Sequence, residues 1–494
     1  MAERASVDGT ADLLIRGADR VVAYDATTGS HVYLTDADVA VSDGRFSFVG
    51  HGFTGGADRE VSGRGLMVMP GLIDLHSHPW SESMNRGFGE DMANACLHCT
   101  MYEHKPGWGD DMAGWLATAS MAYAELLRSG VTTLTDMTTP YEGWIENFAA
   151  SGLRGFVAPM MRSALWSLDS AGEVVGWNWF DDDGAESFAR GLEAVDAAMA
   201  HKSGRMSAMV MPAQVDTCTE RFLQDALAAA RKRGIGMQTH ACQVLPELWE
   251  MERRHAMSPV AWMEAIGVLG ADVTLSHAPF LDHHSWLGND SPTDLERLGK
   301  AGANVAHCPT VLTRSGVMLE DFRRYRQAGV TIAMGTDTAP QNMMEEMRMA
   351  AIMARAAAAD PTAGTTRSVF EAATLGGAKA LQRDDIGRIA VGACGDLVLV
   401  DLNHRDMAPG HDPIRALVFN AAERPVKDVY VGGEQVVADG RVLTVDETAM
   451  TQAMTAANQR AMAAYARFDR AGRPADEVSP PVFPLARDWP ANRP

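Results

Sequence analysis

Cysteine is scarce in this chain, with six among 494 residues. So few cannot make a disulfide framework, and they point to a reducing compartment, so the expected address is the cytoplasm. Positive charge is also short. Lys and Arg total 43 against 64 Asp and Glu, a formal net charge of −21. Nucleic acid and anionic membrane surfaces would repel such a chain, which excludes both as main partners. No run approaches the roughly eighteen uninterrupted apolar residues of a membrane span, and the opening MAERASVDGT lacks the apolar stretch of a secretion signal. Repeats of solenoid length and low-complexity blocks are missing too, apart from a Pro-rich tail over 479–494. No Gly-rich phosphate loop follows an early strand, which counts against a doubly wound dinucleotide-binding sheet. What is present is a globular composition, 46% hydrophobic and 22% charged, able to bury a large core. Thirty Met and eleven Trp stand out; they serve either as core filler or as the lining of an apolar pocket.

Residues 1–66 read as short strands, among them ADLLIRGADRVVAYD and DADVAVSDGRFSFVG, separated by Gly- and Asp-containing turns. GRIAVGACGDLVLVDL and VKDVYVGGEQVVADGRVL repeat that texture over 385–445. Between them, over 67–384, apolar strands alternate with helical stretches such as MAYAELLRSG and RFLQDALAAARKRG. Each of those two ends at a Gly, as a left-handed cap requires. Strands alternating with helices predict a parallel sheet. The span from Met67 to Asp337 is close to the roughly 250 residues of a (β/α)₈ barrel. The expected architecture is α/β: a TIM-like (β/α)₈ barrel (67–384) threaded through a small discontinuous β-sandwich (1–66 and 385–445). A C-terminal helix and the Pro-rich tail (446–494) follow.

The strongest local signal is MVMPGLIDLHSHPW. Alternation along a strand puts Asp74, His76 and His78 on one face and Ile73 and Leu75 on the other, against the helices. The two His then sit at the strand's C-terminal mouth, where barrel enzymes place their chemistry. Imidazoles two apart on a strand can chelate one metal ion. Three more apolar runs end alike. GIGMQTHA closes at His240, with Gly236 and Gln238 on the same face; ADVTLSHA closes at His277; GVTIAMGTD closes at Asp337, with Ala333 and Gly335 inward. A single such His is as readily a hydrogen-bonded core residue, but four strand ends of this kind are hard to assign to chance.

PGLIDLHSH, THA, SHA, NVAHCPT and GTD, in that order, resemble the amidohydrolase superfamily. The pattern is nearest its mononuclear metal-dependent branch, which includes s-triazine hydrolases and nucleobase deaminases. RGLMVMPGLIDLHSH, SGVTTLTDM and GACGDLVLVDL extend the resemblance over nearly the whole chain. It implies His76, His78, His240 and Asp337 as metal ligands. His277 would bind or polarise substrate and water, and His307 in NVAHCPT would lie near the pocket. No Lys ends the fourth strand, MSAMVMPAQVDT, where binuclear members carry a bridging one. One divalent ion per subunit is therefore expected, Zn²⁺ first, with Fe²⁺, Co²⁺ or Mn²⁺ as alternatives.

One departure bears on substrate. Deaminases of this branch carry Glu three residues after the fifth-strand His; here that position is Gln243. Adding water to an aminated heteroaromatic ring calls for an acid at a ring nitrogen, and an amide has no proton to give. Glu247 lies a further helical turn away and does not simply substitute. After HCP the family often continues Ser-Asn, whereas Thr310, Val311 and Leu312 make this pocket more apolar.

The segment after the first strand, SESMNRGFGEDMANACLHCTMYEHKPGWGDDM, corresponds to the family's substrate-covering loop. It is rich in Met and aromatics (Met92, Met101 and Tyr102 among them) and also holds His98 and His104. Trp80, Met84 and Trp108 are expected to touch substrate, together with Gln243 and His307. Trp166, Trp177 and Trp179 would extend that wall. Cys96 and Cys99 lack the second pair a zinc site needs. His283 and His284 read as solvated loop residues.

These features predict a metal-dependent hydrolase cleaving a non-peptide C–N bond of a small, fairly apolar amide, urea or (thio)carbamate, similar to phenylurea and thiocarbamate hydrolases. The alternative is a hydrolytic deaminase or ring-opening hydrolase of a triazine, purine or imidazolone; imidazolonepropionases also place Gln at this offset. A catalytically silent metal-binding relative is a third reading. In the expected cycle the ion lowers the pKa of a water to about 7. Asp337 takes the water proton and passes it to the departing nitrogen, and His277 stabilises the oxyanion. The expected partners are a small-molecule substrate and further copies of the chain, as a homodimer or larger homo-oligomer.

Overall fold

The computed structural model describes residues 10–81, 83–89, 111–169, 174–289 and 291–484. Its centre is a closed barrel of eight parallel strands. They are β1 (Leu72–Ser77), β2 (Val131–Thr138), β3 (Arg154–Met161), β4 (Met206–Ala208, resuming at Met211–Pro212), β5 (Met237–Ala241), β6 (Val273–His277), β7 (Asn304–His307) and β8 (Thr331–Met334). Ladders join β1 to β4 and β5 to β8 in order. Bridges Val210–Met237 and Gln214–His240 close the first gap, and Ser77–Asp337 closes the second. Helices cover the outside, so both faces of each strand are buried, which explains the near-continuous apolar runs. Leu134, Val157, Val210, Leu275, Val305 and Ile332 join one core with helix residues such as Leu126, Leu223 and Met347.

The helix Glu220–Arg233 shows why its boundaries were legible. Thr219 accepts from Phe222 N at its start, and Gly234 ends it at φ 67. The helix Met112–Arg128 stops at Ser129, with Gly130 following at φ 86.

The two chain ends build the flanking β-sandwich. A four-stranded sheet from the N-terminal part runs Arg45–Gly50, Ala37–Ser42, Ala11–Ala18, Ala57–Ser62. The second, seven-stranded sheet mixes both ends, because Leu66–Pro70 pairs antiparallel with Leu397–Asp401. Residues 67–70, counted with the barrel in the sequence, are thus strand in this sheet, and the chain enters the barrel at Gly71. A Cβ there would lie 2.0 Å from Thr132 Oγ1, so only glycine fits the crossing. Leu13, Ile15, Val39 and Val41 from the front meet Ile389, Leu397 and Leu399 from the back in the sandwich core. Arg154 at the start of β3 pins the sandwich to the barrel: its Nε and Nη2 donate to Asp396 at 2.9 and 3.0 Å, both side chains buried.

The C-terminal helix Glu447–Ala464 returns to the opposite end and packs Met454, Ala457 and Ala461 against Ala117 and Met121. No helix among the described residues is long and apolar enough to cross a membrane.

Candidate metal centre

The site stands where β1, β5, β6 and β8 end. His76 and His78 come from β1 and the residue after it, His240 from β5, His277 from β6, and Asp337 from the turn after β8. Hydrogen bonds from His78 N to Asp337 O (2.7 Å) and from Asp337 N to His76 O (2.8 Å) bring β1 and β8 together. Gly335 permits that approach, since a Cβ would lie 2.8 Å from His76 Cβ and 2.9 Å from Cys308 Sγ. Four non-glycine residues at these strand ends hold left-handed backbone: Cys242 (φ 56), His277 (φ 73), Ala278 (φ 44) and Asp337 (φ 60). Such conformations cost energy and gather where chemistry fixes geometry.

The ligating atoms converge. One nitrogen each of His76, His240 and His277 lie within 4.8 Å of one another, as do donor atoms of His76, His78 and Asp337. Asp337 Oδ1 is 3.2 Å from His76 Nε2 and 3.3 Å from His78 Nε2. Donors bound at about 2.0–2.2 Å from a common ion would have this spread.

The second nitrogen of each ring decides whether the first can ligate. His78 Nδ1 donates to Met137 O at 2.8 Å, and His240 Nδ1 donates to Ala213 O at 2.5 Å. Both rings therefore keep an Nε2 lone pair. The Gln238 amide lies 3.2 Å from His76 Nδ1 and 3.0 Å from Ser276 Oγ. As placed, Nε2 is the amide atom facing both, and Oε1 has no partner among the described residues; with the amide turned over, its carbonyl oxygen accepts from Nδ1–H and frees His76 Nε2 as well. Burial, reinforced by the neighbouring rings, pushes His76, His240 and His277 well below the usual histidine range, which keeps them neutral. The donor set fits one divalent ion. His277 Nδ1 has no partner among the described residues, leaving its ring uncommitted beside His240, 5.3 Å between centroids.

Asp74 does not join the cluster. It accepts from Thr336 Oγ1 (2.6 Å), Thr336 N (3.2 Å) and His76 N (3.1 Å), stitching β1 to the turn that carries Asp337. Burial pushes it up to about 7.

The expected substrate contacts divide. Gln243 is buried beyond His240, and its Nε2 has no partner among the described residues. Trp80 opens an aromatic row, edge-on to Trp115 at 5.2 Å, which in turn meets Tyr141 at 5.8 Å. Met84 is buried against Ala117, Met121, Met454 and Ala457, where the C-terminal helix packs. His307 lines a small pocket with Pro309, Met318, Leu319 and Phe322, whose lining includes none of the metal cluster. The β7 register puts it opposite Met334, which belongs to the core shared with the helices. Burial pushes His307 down to about 3. Trp166 and Trp177 spend their indole N–H groups on Asp216, and Trp179 lies under the Arg254 guanidinium. His283 and His284 are buried rather than solvated, His284 packing on Phe280 at 4.7 Å. Trp108 and the other residues of the 90–110 loop, Cys96 and Cys99 included, lie outside the described residues. The sequence passed over Met137 O and Ala213 O, the carbonyls that orient two rings; backbone atoms leave no residue signature.

Residues 67–436 match the model of the amidohydrolase family. The chain is 30% identical over 444 residues to the 5'-deoxyadenosine deaminase of Methanosarcina barkeri, covering 88% of this chain and 95% of that one. It is 31% identical over 438 residues to the 5-methylthioadenosine/S-adenosylhomocysteine deaminase of Halobacterium salinarum, covering 87% and 95%. In three dimensions it resembles an adenosine deaminase from Xanthomonas campestris with bound zinc, at TM-score 0.78 and 24% identity over 92% of this chain and 99% of that one.

Proposed function

The chain belongs to the amidohydrolase family and is a metal-dependent hydrolase of C–N bonds other than peptide bonds, and on that premise we propose that it removes the amino group from an aminated N-heterocycle of the adenosine-nucleoside type. The observation that carries this reading is the likeness of nearly the whole chain to deaminases of adenosine derivatives, together with a complete His and Asp donor set. It favours the deaminase over the amide, urea or (thio)carbamate hydrolase expected first from the sequence.

His76, His78, His240 and Asp337 would hold the ion, zinc by preference, as in the Xanthomonas neighbour. When bound, the ion supplies a water acidic enough to lose its proton near neutrality. Asp337 Oδ1, facing both β1 imidazoles, takes that proton and later delivers it to the departing nitrogen. Neutral His277 keeps one N–H to direct at the oxygen as charge develops. The Gln243 amide donates a hydrogen bond to a ring nitrogen without protonating it. Trp80 supplies an aromatic face beside it.

Gln243 itself favours a second reading. Cleaving an amide, urea or (thio)carbamate needs no acid at a ring nitrogen, because the leaving nitrogen collects its proton from Asp337. Product analysis separates the two. Zinc-loaded protein incubated with 5'-deoxyadenosine, 5'-methylthioadenosine and adenosine is expected to release ammonia and leave the 6-oxo nucleoside. Amine release from phenylureas or thiocarbamates, with no ammonia from any nucleoside, would replace the first reading by the second.

A further inference from the structure

After β3 the chain forms an antiparallel hairpin, Ala164–Leu168 with Val175–Trp179, in which Trp166 stands opposite Trp177. Because it follows the C-terminal end of β3, it lies at the mouth of the barrel. Both indole N–H groups donate to one oxygen, Asp216 Oδ2, the Trp177 bond measuring 2.8 Å. Asp216 follows β4 and is fully buried, and its Oδ1 has no partner among the described residues. Glu247, from the first turn of the helix Leu245–His255, is equally buried and near enough to feel the Asp216 charge. Glu247 Oε1 accepts from Cys242 N at 2.5 Å, and Oε2 from Gln243 N at 3.0 Å. Apolar contact follows the same path, since Trp166 clusters with Leu168, Val175, Trp177 and Val244. The hairpin, the turn after β4 and the turn after β5 therefore meet on two carboxyl groups.

Burial strips both carboxyl groups of hydration, and the charge on Asp216 adds to the cost of ionising Glu247. Arg254 faces them, but it donates to the Asp216 backbone carbonyl (2.7 Å) and pairs with Glu250 (3.2 Å). Burial pushes Asp216 up to about 6 and Glu247 well above the usual carboxylate range, the Asp216 charge adding to the latter.

We propose that Asp216 and Glu247 are positioning residues: the first anchors the Trp166/Trp177 hairpin and the second the turn bearing Gln243, and together they hold the two as a single unit, and so set where the Gln243 amide meets the substrate. The first part stands on geometry alone; the second rests on the reading of Gln243 as a substrate contact.

Hydrogen exchange on the full-length, metal-loaded protein tests the unit without a substrate. Glu247→Gln sets an amide N–H₂ against one of the two backbone donors. Exchange should then rise together over 164–169 with 174–179 and over 241–245, by about tenfold, as loss of a buried hydrogen bond predicts. Asp216→Asn keeps an acceptor for both indoles, so it should leave both segments within about twofold of the parent. On a nucleoside that is turned over, Glu247→Gln should lower kcat/KM by about tenfold at unchanged metal content, and Asp216→Asn should not. Faster exchange in one segment alone or in neither, or an unchanged kcat/KM in Glu247→Gln, would overturn the proposal. If Glu247→Gln does not fold, Asp216→Ala removes the indole acceptor and is read on the same segments. Coupled exchange with no turnover of any aminated heterocycle would leave the unit standing and remove the functional reading.

Discussion

At the scale of single residues, the metal centre is decided by atoms that never touch the metal. His78 and His240 present Nε2 because backbone carbonyls take their Nδ1 protons, and His76 does so because Gln238 lies across its ring. The candidate ligands were legible because each closes an apolar strand with a polar side chain, a pattern with no packing rationale of its own. Their orienting partners were not, since Met137 and Ala213 act through carbonyls that any residue would supply. Gln243 was legible as a departure, and it makes a direct prediction. Gln243→Glu restores an acid at the ring nitrogen, and general acid catalysis contributes about 10²–10⁴-fold when well placed. The variant is expected to deaminate adenosine-type nucleosides at least about tenfold faster than the parent, measured as kcat/KM for ammonia release. An unchanged rate would mean that ring activation is not what limits the parent enzyme.

Among elements, the informative contacts join segments far apart in sequence. The repeated strand texture at 1–66 and 385–445 carried the discontinuous sandwich, because short strands with Gly turns read alike wherever they fall. Nothing in the residues around Met84 announced that the helix Glu447–Ala464 would cover it; a methionine fits a pocket wall and a helix interface equally well. The hairpin tryptophans were likewise read as an extension of the substrate-covering wall, since the buried acceptor that claims their indoles, Asp216, belongs to another strand end. The sandwich-to-barrel contact gives a testable case. Arg154 and Asp396 bond in parallel with both side chains buried, and Asp396 also accepts from Gly432 N at 2.7 Å. Asp396→Ala would strand a buried guanidinium, at a cost of about 3–5 kcal/mol. Its urea midpoint should fall accordingly while metal binding at the opposite barrel end is kept. A midpoint within error of the parent would show that the two parts unfold independently of this bridge.

For the molecule as a whole, closing eight strands brings candidate ligands from three strand ends, those of β1, β5 and β8, to one place, so occupancy of the site would favour the folded barrel. A chelator should abolish hydrolysis and lower the melting temperature. Restoring Zn²⁺ to about a hundred times its dissociation constant should return about 2.7 kcal/mol of stability. His240→Ala should lose both effects together; a variant that still gains stability from zinc would show that the ion binds elsewhere. The −21 charge leaves this centre untouched and keeps polyanions away. The pairing of Leu66–Pro70 with Leu397–Asp401 bears on how the protein is made. At about 5–20 residues per second, a ribosome delivers the second strand tens of seconds after the first. Through that interval one edge of the nascent sheet stays open while the barrel emerges, and the sandwich can be completed only after the whole catalytic barrel has been translated.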